Sequence, residues 1–380
     1  MDAFFVEVER LRRPELLGIP VVVGGDGPRS VVAAASYEAR RFGVGSAMPM
    51  VEARRRCREL TIVPVDHDEY ARVSAQVFEI LRGFTPLVEG LSIDEAFIDV
   101  SGLRLHRDSP TEVGGLIRRD IRSELGLPAS VGVATCKFIA KLASQDAKPD
   151  GLLVIPAREQ HAYLDALPVS RMWGVGAATA ASLTRLGVAT IADLTACGDR
   201  VLTRELGASV AGHLLSLARG DDPRPVVPDS ETKSISAEET FAADLHTLDE
   251  VTVILRRQAD RVGGRLRRAG LVGRTVTVKI RYGDFTTLTR SETLAAPTDV
   301  GNRIFEVSRV LAHQALEPGR GVRLLGVGVS SLVTAGQPVQ LSVEDDTRHH
   351  RIDVAVDAVR ERFGPGVVGP GSQPLRPGGP

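Results

Sequence analysis

Cysteine is scarce in this 380-residue chain: Cys57, Cys136 and Cys197 stand far apart and form no CxxC pair. Such spacing argues against both a disulfide framework and a cysteine zinc site. Long apolar runs are missing too, and none approaches the ~20 residues of a membrane span. No basic, apolar, small-residue series marks a secretion signal, so a soluble protein of a reducing cytoplasm is expected. Lysine supplies only five of the 47 basic residues, a bias that follows nucleotide composition and carries no functional meaning. Net charge is −1, which by itself advertises no polyanionic partner. What remains is ordinary globular material, 43% hydrophobic and 25% charged. At this length two to four domains are expected.

The distribution of charge says more than its sum. Val251 to Leu325 carries fourteen Arg/Lys against six Asp/Glu, concentrated at Arg256-Arg257, Arg261, Arg265 and Arg267-Arg268. A one-sided basic segment is the footprint of phosphate binding, or else a solvated helix face. Along the chain, Val21–Val23, Ser30–Ala35 and Ala129–Ala134 read as strands. Met50–Leu60, Tyr70–Gly83, Glu112–Leu125 and Lys137–Asp146 have helical spacing, giving a mixed α/β region. Ala157–Gly220 is helical with short loops, and DDPRPVVPD from Asp221 reads as an extended linker. Beyond it, strands at 234–241, 275–282, 286–294 and 322–329 alternate with helices at 248–269 and 300–315. That β-α-β-β-α-β order predicts a small α+β sandwich. One further amphipathic helix, Ile352–Phe363, precedes a Gly/Pro-rich end.

Leu91 to Val100 is the most informative stretch. Asp94 and Glu95 interrupt an otherwise apolar, strand-forming run, where carboxylates are normally absent. Either they lie at an exposed strand end, or a cation neutralises them, because burying an ionised carboxylate alone costs several kcal/mol. Three weaker patterns accompany the pair. Tyr37 and Arg40 share a helix face and could hold a polyphosphate, or form a plain surface pair. Lys148 ends a helix, as a dipole partner or a second phosphate ligand. Gly174 and Gly176 precede an Ala-rich helix, where a helix N-terminus can meet a phosphate, or where two helices simply turn.

The motifs SIDEAFIDV, MDAFF, SYEARRFGV-SAMP, CKFIAKLASQDAKPDG, RMWGVG, the Lys233-Ser234 strand, GRTVTVKIRYGDFTTLTRS and VRLLGVGVSSL occur in one order. Together they resemble the Y-family DNA polymerases of the DinB, or DNA polymerase IV, type, over roughly residues 1 to 365. The resemblance implies a right-hand polymerase of mixed α/β and α+β domains. Palm would comprise 1–5 and 66–155, fingers 6–65, a helix-hairpin-helix thumb 156–223, a linker 224–232, a little finger 233–334 and a tail 335–380. It implies that Asp94 and Glu95 are catalytic and bind two Mg²⁺ ions. Tyr37, Arg40 and Lys148 would contact the dNTP triphosphate, and Phe4 and Phe5 would lie at the nucleotide, with Phe5 as the steric gate against a ribose 2′-OH. DNA would be gripped by Gly174 and Gly176 in the thumb and by Lys233, Lys279, Arg281 and Arg290 in the little finger. The implied activity is low-fidelity, template-directed translesion synthesis on primer–template DNA by a monomer.

This sequence departs from the family pattern in places. The third metal carboxylate belongs two residues before Asp2, ahead of Met1, together with the strand that carries it. Either the true start lies upstream, and restoring that strand should restore primer extension, or the chain is a weakened or inactive paralogue that binds DNA and the sliding clamp. Ala34 replaces a common phosphate-contacting Thr and Gly45 a basic residue, each removing roughly ~1 kcal/mol of nucleotide binding. Gln340-Leu341-Ser342-Val343 resembles a sliding-clamp peptide without its terminal aromatic, so weak clamp binding is expected.

Overall fold

The computed structural model describes residues 1–105, 109–228, 231–335, 344–364 and 367–369. The chain divides into two compact units, Met1–Asp26 with Ser30–Ser230, and Gly27–Arg29 with Glu231–Pro380.

The first unit runs α1 (Phe4–Arg12), β1 (Val21–Gly24), β2 (Val32–Ala35), α2 (Tyr37–Arg40), α3 (Met50–Arg56), β3 (Thr61–Val63) and α4 (His67–Phe84). It continues with β4 (Val88–Gly90), β5 (Ala96–Ile98), α5 (Pro110–Leu125), β6 (Val131–Val133), α6 (Lys137–Asp146) and β7 (Leu152–Val154). Helices α7 (Gln160–Asp165), α8 (Ala177–Arg185), α9 (Ile191–Cys197), α10 (Asp199–Leu206) and α11 (Ala208–Ala218) complete it. Its strands form a sheet of order β2-β1-β3, an antiparallel β4-β5 hairpin and a parallel β6-β7 pair.

Among the described residues, three apolar clusters hold this unit together. One gathers Val6, Tyr70, Val77, Ile117 and Ile121 beneath the β4-β5 hairpin, in the range expected for a palm. A small one, around Val22, Val32 and Met50, lies in the expected fingers. The third joins α7 to α11 through Leu164, Leu183, Ile191 and Leu214, and reaches back to Phe138 and Ile139 of α6. Helix starts follow capping chemistry: the side chains of Ser36, Asp66 and Ser109 each accept a first-turn N–H of α2, α4 and α5.

The second unit has the expected strand–helix order: β8 (Ser234–Leu245), α12 (Leu248–Arg268), β9 (Leu271–Tyr282), β10 (Thr287–Thr298), α13 (Gly301–Ala315) and β11 (Val322–Thr334), then α14 (Glu344–Phe363). Its sheet order is β10-β9-β11-β8. Val276, Val278, Ile280 and Tyr282 alternate inward along β9 and meet Leu255, Ala259, Val262 and Leu266 of α12. Helix α14 starts eight residues earlier than Ile352 and docks through charge: Arg267 pairs with Asp353 (3.0 Å) and Asp357 (2.7 Å), and Arg360 with Asp260 (2.8 Å). The clamp-like Gln340 and Leu341 lie outside the described residues. No helix among the described residues is long and apolar enough to cross a membrane.

One close approach fixes the relation of α6 to β6. A Cβ on Gly132 would strike the backbone of Ala140 and Ser144. Gly132→Ala should therefore push α6 away and cost about 1–3 kcal/mol, read as a lowered urea midpoint. An unchanged midpoint would contradict this packing.

Candidate active site

The two carboxylates are not inside a strand. They occupy the tight turn between β4 and β5, where the N–H groups of Leu91 and Ser92 donate to Glu95 O at 2.8 and 3.2 Å. The apolar residues of the motif do form the strand, but only from Ala96 onward, so the acids stand half-buried at its entrance. Ser74 of α4 ties the turn down by donating to Ile93 O. Ser92 Oγ donates to Asp94 Oδ1 at 2.8 Å, and the Met1 amino group donates to Asp94 O at 2.7 Å.

Glu95 has its own cation. Lys141 Nζ, one turn along α6, donates to Glu95 Oε2 at 2.8 Å. Burial works to raise the Glu95 pKa, but the bond and charge of Lys141, aided by Lys148, overcome it and hold the carboxyl below its ordinary value. Nothing singled out Lys141 beforehand, although it lies four residues after Lys137 on one helix face. Asp94, Glu95, Lys141 and Lys148 line one cavity of about 170 Å³, whose apolar wall includes Ile98 and Val131.

The nucleotide-side residues approach the same N-terminal segment. Phe5 stacks on Tyr70 with ring centroids 4.3 Å apart and planes 12° apart, and Tyr70 donates to Glu9 Oε1 at 2.7 Å. Phe4, expected at the nucleotide, is only 3% exposed and packs in an apolar cluster, while the Phe5 ring is half-buried. On α2, the Arg40 guanidinium lies 4.5 Å from the Tyr37 ring centre, and its Nε donates to Ala35 O. The Tyr37 hydroxyl is buried, with the Asp2 carboxylate and the Arg40 guanidinium as its polar neighbours. Burial, then the negative charge of Asp2, raises its pKa. The Lys148 backbone N–H donates to Gln145 O at 3.3 Å, while its ammonium makes no hydrogen bond or ion pair among the described residues and lines the cavity.

Of the residues expected to grip DNA, Gly174 and Gly176 belong to the first unit and Lys233, Lys279, Arg281 and Arg290 to the second. Gly174, at φ 93°, turns the chain into Gly176, the N-cap of α8, as a helical hairpin requires. In the second unit Lys279 and Arg281 share the open face of β9, Lys279 paired to Glu238 at 2.8 Å and Arg281 donating to Thr287 Oγ1 at 2.9 Å. Arg290 does not join them. It sits opposite Val278, in the row that faces the helices. Lys233 is exposed just before β8. The arginines of α12 are largely engaged internally: Arg256 over Phe305 (3.7 Å), Arg257 with Glu239, Arg265 on Ser236 O (2.7 Å) and Arg267 with α14. Much of the expected phosphate-binding charge is thus structural.

The Glu95–Lys141 pair has a pH signature. A carboxylate whose folded pKa is depressed stabilises the fold above its unfolded pKa of about 4.3, and that stability is lost as pH falls through the folded value. In Lys141→Met burial is opposed only by the charges of Lys148 and the Met1 amino group, so Glu95 should titrate higher and the stability gain above pH ~4.3 should shrink. Carbon-13 NMR of the Glu95 carboxyl checks this, and an unmoved midpoint would contradict the pair.

Comparison with known proteins agrees with this geometry. Residues 1–145 match the impB/mucB/samB family and residues 232–343 match the impB/mucB/samB family C-terminal domain. The chain is 44% identical over 375 residues to a DNA polymerase IV of Desulfatibacillum aliphaticivorans, covering 97% of this chain and 94% of that protein. Among solved structures it resembles the Y-family DNA polymerase chimera Dbh-Dpo4(243-245)-Dbh, with TM-score 0.81 and 26% identity over 88% of this chain and 97% of that one. It also resembles the insertion ternary complex of Dbh DNA polymerase, with TM-score 0.63 and 25% identity over 88% and 97% of the two chains. The chain therefore belongs to the impB/mucB/samB family and is a DNA-directed DNA polymerase of the Y family, DinB type.

Proposed function

We propose that this polymerase performs low-fidelity translesion synthesis, extending a primer 3′-OH on damaged template DNA with dNTPs. The observation that carries the reading is the buried Tyr37 hydroxyl beside the Arg40 guanidinium, with the unpaired Lys148 ammonium sharing the carboxylate cavity. Two cationic side chains and a hydroxyl suit an anionic ligand rich in acceptor oxygens. A triphosphate supplies such oxygens and matches Arg bidentately.

Asp94 and Glu95 offer hard carboxylate oxygens, the donor type Mg²⁺ takes when it shares substrate phosphates. Among the described residues no group of three His, Cys, Asp or Glu that could hold a metal is found, and Asp94 and Glu95 are the donors proposed within them. Bound there, a Mg²⁺ pair would acidify the primer hydroxyl and stabilise the leaving pyrophosphate. The chain's residues do the rest. Lys141 keeps Glu95 ionised, and the Ser92 bond orients Asp94. Tyr37, Arg40 and Lys148 receive the triphosphate. The Phe5 ring, braced on Tyr70, bars a ribose 2′-OH.

Tolerance of damaged templates is supported by how little the fingers present. Ala34 is part of the core, and Gly45 stands in open space with nothing within 4 Å of an added Cβ. Contact with the open β9 face would be mainly to phosphates, and so independent of sequence. The sliding clamp is proposed as a weak partner. In a primer-extension assay Asp94→Ala should reduce synthesis to background while DNA affinity stays within twofold. DNA binding by the unaltered chain without any extension, before or after the substitution, would favour a non-catalytic paralogue instead.

A further inference from the structure

Asp2 is only 1% exposed, as buried as Glu9, and no Lys, Arg or His side chain pairs with it among the described residues. Three hydrogen bonds occupy it instead. Ser130 Oγ lies 3.0 and 2.8 Å from its two carboxylate oxygens, and the backbone N–H of Asp150 donates to Oδ2 at 2.7 Å. Asp2 thereby joins the N-terminal segment to the turn that bears Lys148, across 148 positions of sequence.

Backbone strain sits at both ends of that link. Ala3, directly before Phe4 and Phe5, has φ 45°, and Asp150, two residues after Lys148, has φ 48°. Neither is glycine, and such conformations persist only where the surroundings over-determine them. On the far side Arg118 and Arg122 hold the Asp150 carboxylate, and Gly151 N donates to Ser130 Oγ at 3.4 Å. The Lys148 turn is gripped from inside by Asp2 and from outside by two arginines. Neighbouring charge at Tyr37 reflects the same acid.

We propose that Asp2 is a positioning residue for nucleotide selection: by holding Asp150 N–H and Ser130 Oγ, it fixes the Phe5 ring relative to the Lys148 ammonium. Triphosphate reach and sugar discrimination are then set together. The mechanism rests on the dNTP-binding reading above. A carboxylate here cannot itself attract the anionic nucleotide, so its contribution is geometric.

Equilibrium binding of a dNTP and its matching rNTP to the full chain on a dideoxy-terminated primer–template, with Mg²⁺, tests this without chemistry. In Asp2→Ala dNTP affinity should fall at least fivefold and the dNTP/rNTP affinity ratio should narrow at least fivefold, with DNA affinity within twofold. Asp2→Asn should recover most of both, because its amide can accept from Asp150 N–H and donate to Ser130 Oγ. Ser130→Ala, which keeps the Asp150 bond, should narrow the ratio by a smaller factor and serves if Asp2→Ala fails to fold. A native ratio in both alanine variants, or an Asn variant as impaired as Ala, overturns the role of Asp2. Arg40→Ala separates this from the underlying reading. If the unaltered chain binds no dNTP, or Arg40→Ala binds it normally, the triphosphate site itself fails and the proposal with it.

Discussion

An ionised carboxylate cannot remain at the edge of an apolar core without compensation, and this constraint organises the first unit. Glu95 stands where the polar turn meets the strand Ala96–Ile98, with Lys141 as its counter-ion. Lys141 reaches it because Gly132 lets α6 approach β6 more closely than any side chain would permit. The position of one helix thus bears on the charge state of the Glu95 carboxyl. Asp2 meets the same constraint differently, through neutral donors alone. Both solutions lie along the N-terminal segment, which touches the acid turn at Met1 and carries the gate ring at Phe5.

The second unit is built on another balance. Its sheet buries one alternating row against α12 and α13 and leaves the other open, so Lys279 and Arg281 are presented on a rigid surface. Its helices hold much of the local positive charge internally. Arg267, 7% exposed at its side chain, is matched by two aspartates of α14. Removing either partner type would leave a buried charge uncompensated, which costs far more than an exposed pair contributes.

Period and capping made most elements legible. Lys137–Asp146 is a helix over those very residues, and the β-α-β-β-α-β order holds from Ser234 to Thr334. The site was legible as a set of residue types. Its wiring was not, because the partners are distant in sequence: Lys141 is 46 positions from Glu95, and Asp150 is 148 from Asp2. Asp2 carried no role in the sequence, and its burial and hydrogen bonds reveal what it holds. The engagement of Arg267 in α12 was hidden for the same reason, since Asp353 and Asp357 lie far downstream. One signal went unread there. Gly263-Gly264 in mid-helix marks a close crossing, where a Cβ would lie 2.8 Å from Asp299 O.

The central claim is that Tyr37, Arg40 and Lys148 form one triphosphate cradle above the two carboxylates. A structure of the chain with primer–template DNA, Mg²⁺ and a non-hydrolysable dNTP tests it most directly. The account predicts phosphate oxygens within hydrogen-bonding distance of the Tyr37 hydroxyl, the Arg40 guanidinium and Lys148 Nζ. A bound triphosphate that leaves the Tyr37 hydroxyl unpartnered and Lys148 unengaged would contradict it.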